Sequence, residues 1–239
     1  MNMDGDRKII IFSHNYLVNN WKEIVIDQLN KLVSSGLYTI ADEIYYCAYS
    51  VNNENYFEFC KLIDNYDSLK KFTIVRHTKN LYEISTLDLL QSIVKQKKCY
   101  VLYYHTKGVT AVKNYSVEVQ KNIVSWRNIM NYYNIEKWKN AINALDVGHD
   151  MYGVLYSNYI IHGTNGSPDR NVNFYAGNFW WCTSKHINKL PSAKNLDNYK
   201  DVESFITSIP HKWANTPFPT AGNIYLRYFD PQTYRKDNI

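Results

Sequence analysis

No stretch of this chain approaches the ~18 consecutive apolar residues that a helix needs to cross a bilayer. The opening Met1-Asn2-Met3-Asp4-Gly5-Asp6 lacks signal-peptide character. A soluble, cytoplasmic protein without a membrane span is therefore expected. Cysteine is scarce: Cys47, Cys60, Cys99 and Cys182 have no metal-ligand spacing, and three of them lie inside apolar segments. That pattern suits reduced thiols packed as small hydrophobes in a reducing compartment. No Gly-x-Gly-x-x-Gly follows the first apolar run and no Gly-Lys-Ser/Thr loop occurs, which disfavours a dinucleotide enzyme and a P-loop ATPase. Nor is there a basic stripe. The net charge of +5 comes from scattered Lys and Arg residues, so nucleic acid is not the expected partner. Without internal repeats, low-complexity tracts or a linker, the 239 residues read as one domain.

The chain is rich in aromatic side chains, with 22 Tyr and six Trp, and its hydrophobic (45%) and charged (21%) shares are those of a globular protein. A β-rich run at Lys8–Phe12 is followed by the polar loop Ser13-His14-Asn15. Trp21, Ile24, Val25, Leu29, Leu32 and Val33 then recur at helical spacing, with Asn20 as N-cap and Gly36 as stop. Strands follow at Glu43–Tyr49 and Phe72–Val75, with a helical face from Tyr56 to Ile63 between them. Ser85-Thr86-Leu87-Asp88 resembles a capping box and opens a helix through Val94, which leads to a strand ending at His105. Strand and helix alternating in this way predict right-handed βαβ crossovers and a mainly parallel, Rossmann-like sheet. Beyond Gly108 the spacing predicts helices over Val117–Tyr133 and Trp138–Leu145, then a strand at Met151–Leu155. A turn-rich stretch at Gly163–Asn171 reads as a lid or a solvated excursion. Short helices after Ser184 and near Asp201–Glu203 precede a tail, from Thr216, without periodicity.

The apolar run from Cys99 to Tyr104 ends abruptly in His105-Thr106-Lys107-Gly108. An imidazole, a hydroxyl, an ammonium and a glycine at the carboxyl end of a buried strand are equipped to hold an anion. His105 and Lys107 alternate, so in an extended loop they project to one side. Asp201 and Glu203 are placed by the spacing at a helix start, where the dipole favours a carboxylate, although first-turn acids are common there in any case. Of the adjacent Trp180 and Trp181, one faces the core and the other a cleft or the opposite layer; an exposed ring beside Asn178 suits a sugar. Trp126 reads as core, and Arg127 beside it as pointing outward toward the anion. Read by themselves, Glu83 and Thr86 can simply start a helix, and His14 and Asn15 can simply turn the chain.

Asn20-Trp21-Lys22-Glu23-Ile24 with Ser35-Gly36-Leu37, Glu83 with Thr86-Leu87, Tyr104-His105-Thr106-Lys107-Gly108, Trp126-Arg127 with Met130, Gly177-Asn178-Phe179-Trp180-Trp181, Leu190-Pro191 and Glu203 occur in that order. Together they resemble a family of small GT-A-type glycosyltransferases of bacteria and large DNA viruses, over most of the chain up to about Ser208. The resemblance implies a three-layer α/β/α domain with a nucleotide-binding half at about 7–110, an acceptor-side half at about 111–215 and a C-terminal tail at 216–239. It implies transfer of a sugar from a nucleotide-sugar, a UDP-sugar or similar, to a glycan or glycoprotein acceptor. The alternative is a non-catalytic carbohydrate- or nucleotide-sugar-binding module. The glycosyltransferase resemblance would make Glu203, with Asp201 as rival, the catalytic base. His105, Thr106, Lys107, Gly108, His14, Asn15, Glu83, Thr86 and Arg127 would bind the nucleotide-sugar, and Asn178, Phe179, Trp180 and Trp181 the acceptor or sugar. Most such proteins end the fourth strand in Asp-x-Asp, which holds Mg²⁺ or Mn²⁺; here His105-Thr106-Lys107 fills that place, and the usual Arg upstream of Glu203 gives way to Tyr199 and Lys200. The expectation is a site without metal there, Lys107 neutralising phosphate directly. The alternative is a modified Mn²⁺ or Mg²⁺ site on His105, completed by Asp169 or Glu203.

Overall fold

The computed structural model describes residues 7–161, 170–197, 199–215 and 223–235. Its strands are β1 (Lys8–Tyr16), β2 (Glu43–Tyr49), β3 (Phe72–His77), β4 (Cys99–His105), β5 (Met151–Gly153), β6 (Tyr156–Ile161), β7 (Arg170–Tyr175), β8 (Trp180–Thr183) and β9 (Trp213–Asn215). The helices are α1 (Trp21–Ser34), α2 (Leu37–Ile40), α3 (Asn53–Tyr66), α4 (Ile84–Val94), α5 (Ala111–Asn114), α6 (Val117–Asn131), α7 (Trp138–Asp146), α8 (Ser184–Ile187), α9 (Tyr199–Ser204) and α10 (Pro231–Tyr234). A π-helical turn at Tyr132–Glu136 joins α6 to α7.

The sheet order is β3-β2-β1-β4-β8-β5-β9, and β6 with β7 forms a separate antiparallel ribbon. Strands β1 to β4 pair in parallel, β8 enters antiparallel between β4 and β5, and β9 runs parallel to β5. Alternation along β4 divides the core in two. Tyr100, Leu102 and Tyr104 pack with residues of α1, α3 and α6, whereas Cys99, Val101 and Tyr103 pack with residues of α4, α8 and α9. This is the expected three-layer α/β/α architecture with a mainly parallel, Rossmann-like sheet. No helix among the described residues is long and apolar enough to cross a membrane.

Three boundaries differ from the sequence reading, and each moves a candidate residue. Strand β1 continues to Tyr16 because it is paired on both sides, with β2 as far as Tyr49 and with β4 as far as His105, so His14 and Asn15 are strand residues rather than a loop. Helix α4 starts at Ile84, with Glu83 at its N-cap and no side-chain capping bond, so the expected capping box does not form. Helix α9 begins at Tyr199, which puts Glu203 near its end and leaves Asp201 in the first turn. The dipole argument for Glu203 therefore fails. Residues 162–169, Asp169 among them, and 216–222 lie outside the described residues.

Candidate functional site

Chain order runs outward from β1 through β2 to β3, then crosses back so that β4 lies on the other side of β1. Loops leaving β1 and β4 diverge from this point, and such a switch point opens a crevice beyond the carboxyl ends of the strands. A cavity of about 320 Å³ occupies it. His14 and Tyr16 of β1, Tyr49 of β2, Glu83 before α4, and the His105–Gly108 loop all line it, and Tyr115 and Tyr225 close the far wall. His14, Glu83, His105, Thr106, Lys107 and Gly108 are thus brought together as expected. The tyrosines were not foreseen: Tyr16 and Tyr49 reach the rim only because β1 and β2 run on in register to those residues.

Lys107 is gripped from below by α6. Its Nζ lies 4.2 Å from the centroid of the Trp126 ring, a cation–π contact. Burial lowers its pKa, while the carboxyl groups of Glu203 and Glu83 act in the opposite sense. Glu203, in turn, is raised by burial and by Glu83, against the pull of Lys107. Glu83 is raised chiefly by burial; its Oε2 accepts from Asn178 Nδ2 at 3.0 Å and its Oε1 lies 3.2 Å from His105 Nδ1. His105 Nε2 donates to the Gly177 carbonyl at 2.8 Å, and burial beside Lys107 pushes the imidazole down to about 3. His14 is likewise pushed down to about 3, chiefly by burial. The site therefore holds neutral imidazoles around a cation and the Glu83 carboxyl group, with Glu203 beside it acting on both charges.

Several expected contacts are not made. Asn15 is fully buried and its amide donates to the backbone of Cys47 at 3.0 Å. Thr86 is also fully buried, its hydroxyl held 2.8 Å from both His14 Nδ1 and His77 Nε2, so it serves two histidines rather than a ligand. Arg127 does not point outward: it is 7% exposed, and its Nη1 donates to the Lys107 carbonyl at 2.9 Å. Trp180 and Trp181 are both fully buried, one in each core layer, which realises the opposite-layer alternative and leaves neither ring for a sugar. Asn178 is spent on Glu83 and on Trp180 Nε1, and Phe179 packs edge-on against His105. The acceptor or sugar subsite expected at Asn178–Trp181 is therefore corrected: this segment is core. Neither Asp201 nor Glu203 lines the cavity; Glu203 is the nearer of the two in effect, acting on the Lys107 ammonium, while the Asp201 backbone carbonyl accepts from Ser204.

The described residues of the site do not fit a divalent cation. Among the described residues no three His, Cys, Asp or Glu side chains converge on one point, and His105 has Nε2 committed to Gly177 and Nδ1 facing Glu83. Mg²⁺ and Mn²⁺ ask for several hard oxygen ligands. These contacts occupy both ring nitrogens of His105, and Asp169, which would complete a metal site there, lies outside the described residues.

No protein-family model matches the chain, and no curated protein matches it. Among solved structures it is similar to HddC from Yersinia pseudotuberculosis, at 12% identity over 89% of this chain and 90% of that one, with a TM-score of 0.47. The same protein complexed with GMP-PN matches at 12% identity over 96% and 97%, also with a TM-score of 0.47. A 4-diphosphocytidyl-2C-methyl-D-erythritol synthase from Anaerococcus prevotii matches at 11% identity over 94% and 92%, with a TM-score of 0.48. Because the Asn178–Trp181 segment expected to hold the sugar or acceptor is buried and committed to the core, the expected transfer of sugar to a glycan, and the carbohydrate-binding form of its non-catalytic alternative, are withdrawn.

Proposed function

We propose that the switch-point cavity binds a nucleotide and that the protein is an enzyme, a transferase acting on that nucleotide. Lys107 is the observation that carries this reading. It places an ammonium against an aromatic face, at the carboxyl edge of a parallel sheet, in a cavity rimmed by tyrosine rings. A phosphate group meets the ammonium, and a base lies against Tyr16 and Tyr49, whose ring centroids are 5.7 Å apart. A partly desolvated cation is a stronger phosphate contact than one in bulk water. As negative charge grows on a leaving phosphate, Lys107 stabilises it. Glu203, an electrostatic neighbour of Lys107, is the proposed proton-accepting group.

Calorimetric titration with UDP, GDP, CDP and ADP, each with its nucleoside, tests the reading. At least one diphosphate binds, binding survives excess EDTA, and Lys107→Ala weakens it by ~1.5–3 kcal/mol, the range for a charged hydrogen bond. The nucleoside loses little. Binding that appears only with added Mn²⁺ contradicts the fit described above, and no binding of any nucleotide removes the proposal. Once a reaction is found, Glu203→Gln lowers turnover about 10²-fold at unchanged affinity, the scale of a general base; unchanged turnover clears Glu203 of the role.

A further inference from the structure

Carbonyl groups of the His105–Val109 loop are held one after another, and three of the donors are side chains. Gln28 Nε2 of α1 donates to the His105 carbonyl at 3.0 Å, Arg127 Nη1 of α6 to the Lys107 carbonyl at 2.9 Å, and Asn19 Nδ2 to the Val109 carbonyl at 2.9 Å. The intervening carbonyls of Thr106 and Gly108 accept from the amides of Val109 and Ala111. Gly108 itself has φ +87, and a Cβ there would lie 2.5 Å from Ile123 Cγ2, so α6 presses directly on the turn. Consecutive residues of α6 therefore grip Lys107 twice, Trp126 under its ammonium and Arg127 on its carbonyl.

Gln28 and Arg127 are 1% and 7% exposed, and neither lines the cavity. Burying a guanidinium is costly unless its charge and hydrogen bonds are met. Arg127 meets this cost only in part, through the Lys107 carbonyl and the nearby charges of Asp27 and Glu23, while its Nε has no partner among the described residues. Core stability alone is served as well by an apolar side chain of similar volume. What an apolar side chain cannot do is hold a particular carbonyl in a particular direction.

We propose that Gln28, Arg127 and Asn19 are positioning residues of the nucleotide site: they hold the His105–Val109 loop from behind by its carbonyl groups and so fix the point at which Lys107 meets phosphate. This rests on the nucleotide reading above. A phosphate contact set by a clamped backbone is preorganised, so loosening the clamp costs affinity for the phosphate part of a ligand and not for the nucleoside part.

The test compares wild type with Arg127→Met, Gln28→Met, Asn19→Gly and Arg127→Lys by titration with inorganic pyrophosphate, UDP, GDP, CDP, ADP and the matching nucleosides. Arg127→Met and Gln28→Met are expected to lose about tenfold in pyrophosphate and diphosphate affinity, equivalent to ~1.4 kcal/mol, and less than about twofold for nucleosides. Arg127→Lys retains a donor and regains most of the loss. Asn19 is exposed and sits at φ 49, where glycine is at ease, so Asn19→Gly folds even if the buried variants do not. About a threefold loss for pyrophosphate is expected of it, a fraction of a kcal/mol. Variants that bind pyrophosphate as wild type does, or that lose nucleoside and pyrophosphate alike, overturn the inference while the nucleotide reading stands. A wild-type protein that binds neither pyrophosphate nor any nucleotide removes that reading and this inference with it.

Discussion

Thr86 has one hydroxyl proton and two imidazoles to satisfy. With His14 Nδ1 and His77 Nε2 both 2.8 Å from its oxygen, it donates to one ring and accepts from the other, so the two tautomers are tied together. Thr86→Val keeps the shape and removes both bonds, leaving a buried ring nitrogen of His14 and a half-buried one of His77 without that partner. A loss of about 1–3 kcal/mol is expected, the cost of unsatisfied buried polar groups. It is read as a lower urea midpoint at unchanged slope. An unchanged midpoint shows that the rings find other partners. From the chain alone, Thr86 reads as a helix-start residue or as a contact to base or ribose. The residue types at the crevice were legible there, but which of them face the ligand and which support those that do depends on contacts from β3 and α4 that no local pattern carries.

At the scale of elements, β8 shows how much alternation decides. Four residues long, it sends Trp180 to the α4 side, where the ring stacks 5.0 Å from Tyr103, and Trp181 to the α6 side, where its Nε1 donates to the Asn134 carbonyl at 2.8 Å. Trp180→Ala and Trp181→Ala are each expected to cost about 3–5 kcal/mol, the scale for emptying a buried aromatic site. Thermal denaturation of the two variants checks this. A well-folded variant with altered ligand affinity instead would return that ring to the site. The strands β2 and β4 and the apolar faces of α1 and α6 were readable from periodicity, because burial imposes it directly. The extension of β1 to Tyr16 was not, since Ser13, His14 and Asn15 are polar and are kept in the sheet by pairing, Ser13 and His14 on both edges and Asn15 with β2. The antiparallel direction of β8 is set by partners 80 residues away in sequence, Tyr100 opposite Thr183 being 83 apart by 183 − 100.

For the molecule as a whole, buried neutral histidines give stability a pH dependence of predictable sign. His14 and His105 fall from 6.5 to about 3 on folding, so between these values the unfolded chain binds more protons and stability falls as pH falls. His77 and His186, also lowered by burial, act in the same sense. Glu83 and Glu203, raised by burial above 4.5, contribute stability that is lost as pH rises through their folded values, and so oppose the histidines. With four imidazoles against two carboxyl groups, the melting temperature is expected to drop as pH is lowered from about 6.5 toward 5, in the linkage window. A flat profile over that range shows that the imidazoles are protonated in the folded protein.

The place of β8 in the sheet also bears on how the chain folds as it is made. β4 is apolar on both faces and its edge away from β1 is covered by β8 alone, yet about seventy-five residues separate the end of one from the start of the other. Until Trp180–Thr183 emerges from the ribosome, a nascent chain carries β4 as an open edge of aromatic and aliphatic side chains, the kind of surface that pairs with other chains. Chains released after residue 176 are therefore expected to sediment as aggregates, and chains released after residue 190 to stay in the supernatant to a larger extent; equal partition of the two shows that some other segment guards that edge during synthesis.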